Sequence, residues 1–307
     1  MSKLDFIRSA KSWILVALSG AVLGLPMACM AQEITDDVPI YDADTLNLDT
    51  TDLRPHRLLY DPTQGENGLE DGIFNDGVYP NPRIAISLER TLYYEPDDTA
   101  HDAIRIRWVS NTHPHTDAVV VDAQTLAIVN EITRAGRPWQ TRSEILHIRG
   151  HQAHVTIISD DDAPTHETVT LSHRHYYGVM VLPYLFASMN VPDGAQFRLP
   201  SVGSGGEGFI YVDVIGPATF RNAAGNVQGA RLVRSRHGWG EIDWYVDADN
   251  APYNVHAIWR FGDGTGALTG GSSVSQVVDW DVFDQDPTGA LIDADRHARS
   301  FNQTESD

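Results

Sequence analysis

From Ile84 onward, apolar and polar residues take turns along the chain. In "RIAISLERTLYY", residues 83–94, Ile84, Ile86, Leu88, Leu92 and Tyr94 fall on one parity, with Ala85, Ser87, Glu89, Thr91 and Tyr93 on the other. A period of two is the pleat of a β-strand with one face buried and one in water. The same alternation predicts strands at "AIRIRWVS", "DAVVVDA", "LAIVNEITR", "SEILHIRG", "HVTIISD" and "HETVTLSH", then at "GFIYVDVIG", "GARLVRSRH", "EIDWYVDA" and "YNVHAIWRF". Between them "NTHPHT", "SDDDAPT", "NAAGN" and "DADNAP" supply Asn, Asp, Gly and Pro where a chain reverses. Connections this short make neighbours antiparallel. The expected fold is all-β, an antiparallel meander forming a curved sheet, a barrel or a half-barrel. One segment breaks the period: "YYGVMVLPYLFASMN", residues 176–190, has too many apolar residues for a half-exposed strand. It predicts a short helix plugging one face of the sheet, with Pro183 in its first turn.

Two stretches echo each other. "VVVDAQTLAIVNEI" at 119–132 and "WYVDADNAPYNVHAI" at 244–258 each run an alternation into an aspartate, Asp122 or Asp247, and resume it a few residues later. An Asp side chain bonds the backbone of a turn, so each reads as a β-hairpin whose turn is held by its Asp. With the plug segment and "VPDGAQFRLP", these hairpins resemble the pattern of an exported β-barrel family of Gram-negative bacteria, a domain of unknown function, departing from it at Ala127, where relatives carry Pro soon after the Thr-Leu pair. The chain is also distantly similar to the half-barrel lipoprotein-carrier fold. The resemblance covers about residues 80–265; it implies a curved sheet around an apolar cavity and carries over no catalytic residue.

The ends of the chain differ from its middle. Lys3, Arg8 and Lys11 precede the apolar run "WILVALSGAVLGLPMAC", and small residues follow, so 1–31 reads as a secretory signal peptide cleaved after Ala31. A cut before Cys29 with lipid attachment is the alternative, although Pro26 stands where such sites usually carry Leu. The expected location is periplasmic or extracellular. Residues 32–80 read as an extended acidic arm with a few short pairings, 81–265 as the β-barrel-like domain, and 266–307 as an acidic Gly/Asp-rich tail. No later run is long and apolar enough for a membrane helix.

Charge narrows the partners. The formal charge is −20, and the signal segment removes more bases than acids when it leaves. Such a surface repels phosphate backbones, which argues against a nucleic-acid partner and favours cations. Cys29 is the single cysteine and lies in the signal segment, so the domain has neither disulfide nor thiol nucleophile.

Candidate chemistry rests on two constellations. In "HETVTLSHRHYY", strand parity puts Val169, Leu171, His173 and His175 on one face, so two imidazoles at i and i+2 face the apolar side and can reach one Zn²⁺ if a third ligand joins them. His113 and His115, in a turn around Pro114, are candidates for that role. The competing reading is a pair of histidines at a strand end, hydrogen-bonded to Tyr hydroxyls or carboxylates. In "DQDPTGALIDAD", residues 284–295, Asp284, Asp286, Thr288, the Ala290 carbonyl and Asp295 have the spacing of a Ca²⁺ loop, with Gly289 at the sharp turn and Pro287 as an unusual intruder. The competing reading there is a solvated acidic tail. "SVGSGGEG" reads as a flexible loop and "FGDGTGALTGG" as a turn and linker; neither carries a phosphate-loop or nucleophile-elbow signature. Arg90, on an otherwise apolar face, requires an anionic partner if buried.

Two functions are compatible with these residues. One is an exported, non-enzymatic β-domain whose concave face, lined by Trp108, Trp244, Trp259 and Phe261, binds a hydrophobic small molecule or lipid. The other is a metal-dependent hydrolase or lyase using the His-x-His pair.

Overall fold

The computed structural model describes residues 37–53, 55–61, 84–95, 98–110, 115–137, 140–159, 162–221, 227–238, 240–246, 254–262 and 268–279. The chain forms strands β1 (His56–Asp61), β2 (Ile84–Tyr94), β3 (Ala100–Ser110), β4 (His115–Asp122), β5 (Ile128–Arg137), β6 (Gln140–Arg149), β7 (Gln152–Ser159) and β8 (Asp162–Thr170). After the plug come β9 (Gln196–Gly203), β10 (Gly206–Arg221), β11 (Val227–His237), β12 (Gly240–Val246), β13 (Asn254–Gly262) and β14 (Leu268–Asp279). Among the described residues two short helices accompany them, α1 (Ala43–Leu46) and α2 (Leu182–Ser188). No helix among the described residues is long and apolar enough to cross a membrane.

Every strand pairing is antiparallel, as short turns require. Seven strands in chain order, β2 to β8, make one block, and four, β9 to β12, make the other; β13, β14 and β1 link them in the hydrogen-bonding order. The order begins at β8 and ends at β9, which do not pair, so the sheet stays open rather than closing into a barrel. Two of these strands differ from the sequence reading. Strand β1 lies in the stretch read as an arm, and β14 in the stretch read as a linker and tail. "SVGSGGEG" is likewise not a loop: its first half belongs to β9 and its second to β10, with a tight turn at Ser204 and Gly205 and Gly206 at φ +96°.

The inner face holds the core. Ile86 and Leu88 from β2, Ile104 and Ile106 from β3, Val119 and Val121 from β4, and Val212, Val233, Ile242 and Trp244 from the other block are at most 2% exposed. Each such side chain contributes roughly 1.5–3 kcal/mol when removed from water. The alternation of β2 surfaces at its far end, where Leu92 and Tyr94 are 48% and 65% exposed. Arg90 lies there too, exposed, and donates to the Leu53 carbonyl at 3.0 Å, so it needs no anion.

Both edges are distinct. β9 is covered by the chain's own arm: Tyr41 N–H donates to the Arg198 carbonyl, Arg198 N–H to the Pro39 carbonyl, and the Tyr41 ring stacks on Phe197 at 4.6 Å. β8 pairs with β7 alone among the described strands, and its residues are nearly all exposed.

The hairpin reading of the echoed stretches holds for the first copy. Asp122 Oδ1 accepts from Gln124 N–H, Thr125 N–H and the Thr125 hydroxyl at 3.0, 2.8 and 2.9 Å. The second copy also joins two paired strands, β12 and β13, while Asp247 itself lies outside the described residues. In both copies the register slips just before the aspartate, between Val120 and Val121 and between Tyr245 and Val246.

Candidate functional site

Cross-strand register sets the composition of the inner face. One row runs Ile86, Trp108, Asp117, Thr133, Glu144, Ile157 across β2 to β7; the next runs Leu88, Ile106, Val119, Glu131, Leu146, Val155. Three carboxyl groups therefore stand on neighbouring strands on an otherwise apolar surface. Asp117, Thr133 and Glu144 are 6%, 9% and 7% exposed. Burial, with the neighbouring Glu144 charge adding to it, pushes the Glu131 carboxyl up to about 7.

The plug covers this surface. After β8 the chain turns inward at Leu171, and residues 176–191 bury Tyr176, Tyr177, Met180, Leu182, Tyr184, Leu185, Phe186 and Met189. Pro183 occupies the first turn of α2, where its missing N–H costs nothing. The helix packs toward β12, with the Phe186 and Trp244 rings edge to face at 6.2 Å. The segment also ties the two blocks together by backbone bonds: Ile128 N–H donates to the Tyr176 carbonyl and Tyr177 N–H to the Pro200 carbonyl, both at 2.9 Å. Over Glu131 the plug presents Gly178, where a methyl group would lie 3.1 Å from Ile128 Cδ1 and 3.2 Å from Glu131 Oε2. Glu144 Oε1 accepts the Ser204 N–H at 3.1 Å, so the β9–β10 turn also reaches this end of the inner face.

The histidines are not arranged as strand parity suggests. β8 ends at Thr170, and 171–178 is irregular backbone, so His173 and His175 share no strand face. The strand stops because the plug must leave the sheet: Leu171 N–H still bonds the His151 carbonyl, but Ser172 N–H and hydroxyl turn to Glu207 of β10, at 2.6 and 2.7 Å. His173 packs edge-on against Phe209 and Tyr176. His175 is 8% exposed, and its buried Nδ1 has no hydrogen-bond partner. Burial and Arg174 hold that imidazole below the usual range, against the opposing pull of Asp42, Asp44 and Asp122. Among the described residues no three His, Asp, Glu or Cys side chains gather as a metal ion would need. His113 and the Asp284, Asp286, Thr288, Ala290 and Asp295 loop lie outside the described residues; His115 begins β4, with its side chain outside them.

Of the four inner-face aromatics expected, Trp108 and Trp244 are buried, at 8% and 1% exposed; the side chains of Trp259 and Phe261 are outside the described set. The inward Glu131 escapes the alternation pattern. The register slip in β5 reverses parity after Ile128, bringing Glu131 and Thr133 to the face that simple alternation gives to Asn130 and Ile132. The signal available in the sequence was the hairpin aspartate itself, beside which the register slips in both copies.

Comparison of the chain with family models, with curated proteins and with solved structures yields no match.

Proposed function

We propose that the chain is a non-enzymatic β-domain that holds a hydrophobic or lipid-like molecule against the inner face of its open sheet, working in the cell envelope after export by residues 1–31. One observation carries this reading: the inner face is filled by a segment, 176–191, whose apolar side chains come from a connection and not from the sheet. An apolar connection of this kind is a replaceable filling, because an acyl chain or another flat apolar molecule offers the same contacts. β8 and β9, the two ends of the strand order, do not pair with each other, which leaves a seam for it to enter by where the connection leaves β8.

The test is extraction of the purified protein with organic solvent and mass spectrometry of the extract, paired with titration of a fluorescent fatty acid followed by tryptophan quenching. One apolar molecule per chain, or saturable binding of the probe with quenching of Trp108 or Trp244, supports the reading. An empty extract together with no saturable binding overturns it.

A further inference from the structure

We infer that Glu131 and Glu144 act as a proton-controlled latch beneath the plug: while Glu131 holds a proton the segment around Gly178 stays seated on β5 and β6, and loss of that proton releases it.

The two carboxyl groups are diagonal neighbours on one face of adjacent strands, since Glu144 is the partner of Thr133 and Glu131 that of Leu146. Such diagonal side chains are within reach of one another. Glu144 has its Oε1 on the Ser204 N–H, which holds it in place. Glu131 lies directly under Gly178, and the absence of a side chain at 178 is what lets the plug close over it. The charged groups facing Glu131 are Glu144 from β6 and Asp117 from β4; the plug brings Gly178 and the β9–β10 turn brings Ser204, neither of them charged.

This arrangement tolerates one negative charge on the pair and not two. A second carboxylate there must turn toward water or move away, because it would stand half-buried beside the buried Glu144 charge. The sheet cannot yield, since β5 and β6 are paired along their length from Asn130 to Arg137. The plug can: over Glu131 it is irregular backbone, joined to the β4–β5 hairpin by the Ile128 N–H on the Tyr176 carbonyl and the Tyr177 hydroxyl on the Thr125 carbonyl. The carboxyl value near 7 for Glu131 puts the transition close to neutral pH. The inference does not depend on any ligand.

Amide hydrogen exchange of the full chain tests it, with the chemical exchange rate at each pH divided out. Between pH 6 and pH 8 the amides of Ile128, Tyr177 and Leu185 should lose roughly tenfold in protection, as release coupled to one proton requires, while amides in the β10–β11 hairpin hold theirs. In E131Q, which keeps the shape and removes the charge, the plug should stay protected at pH 8. Unchanged plug protection in the wild type, an equal loss in the β10–β11 hairpin, or a loss that persists in E131Q would each overturn the latch. Should E131Q fail to fold, carbon NMR of the Glu131 carboxyl in the wild type decides: a midpoint near 7 supports the latch, and one in the ordinary glutamate range removes it.

Discussion

The hydroxyl of Tyr176 donates a hydrogen bond to the carboxylate of Glu207, fastening the start of the plug to strand β10. Ser172 adds two more donors to the same carboxylate, and the Tyr176 oxygen accepts the His173 N–H at 2.8 Å. Burial alone would raise the Glu207 carboxyl; the bonds from Tyr176 and Ser172 outweigh it and hold the group below the usual range. Burial and the bond to Glu207 push the Tyr176 phenol up to about 12.

Y176F should therefore destabilise the protein by about 1–3 kcal/mol, the cost of leaving a charged acceptor and a backbone donor short of a partner. Because the Glu207 value is lowered on folding, its stabilisation is present at neutral pH and is lost as pH falls through its folded value. The gap between wild type and Y176F should narrow below the ordinary glutamate range. Urea unfolding at pH 7 and pH 3.5 measures both; a gap that does not depend on pH would assign the effect to packing.

Stability should peak in mildly acidic solution. Glu131 has a raised value, so its contribution is complete below its unfolded value of about 4.5 and is lost as pH rises through about 7. His237 is the opposite case: burial pushes its imidazole down to about 3, so its contribution is present above the unfolded value of 6.5 and is lost as pH falls through the folded one. Its Nε2 lies 2.9 Å from the Ser235 hydroxyl, which also accepts the Trp244 indole N–H at 2.8 Å. Thermal midpoints across pH 4–9 should form a dome. E131Q should flatten the alkaline limb and H237Q the acid one, and a variant that flattens the wrong limb would refute the assignment.

Arg234 and Asp243 form a two-point pair on the outer face of β11 and β12, with nitrogen–oxygen distances of 2.6 and 3.1 Å. Their environments differ: the Asp243 side chain is 4% exposed and that of Arg234 is 32%. Removing the arginine takes its two-point ion pair from a buried carboxylate, whereas removing the aspartate leaves a guanidinium free to swing into water. R234M should cost about 2–4 kcal/mol and D243N distinctly less, read from denaturant midpoints. The reverse order would contradict this account.

Gly216 marks a bulge in β10, where the register slips after Val214 and the backbone takes φ +106°. A side chain there meets a conformational penalty, and its Cβ would lie 3.0 Å from Asp193 Cγ, whose carboxylate accepts from Arg231 Nε at 2.9 Å. G216A should lose about 1–3 kcal/mol in thermal or chemical unfolding. D193A should add little to that loss once Gly216 is replaced, since one change already displaces the other.

The parts of this fold that could be read from sequence are those in which alternation runs without interruption. β2 and β3 expose a clean period of two, and Asp122 announces its turn through a side chain whose only task is local. What could not be read depended on distant partners. Neither β1 nor β14 looks like a strand until it is placed next to the other, where Leu58 pairs with Asp279. His173 and His175 continue the alternation of β8 on paper, but the pull of the plug and the Glu207 bonds end the strand before them. Glu131 was hidden by a single extra residue, because one slip of register exchanges the two faces of everything that follows.

The two sheet edges also set a limit on size. Strand β9 bonds residues 38–41 of its own chain at Arg198 and the plug at Pro200, and β8 offers a newcomer Asp162, Pro164, His166 and Glu167. Proline withholds a donor and the charges resist dehydration, so neither end is a template for growth. End-stops of this kind oppose the addition of a strand from a second copy to the fourteen-stranded sheet of the described residues.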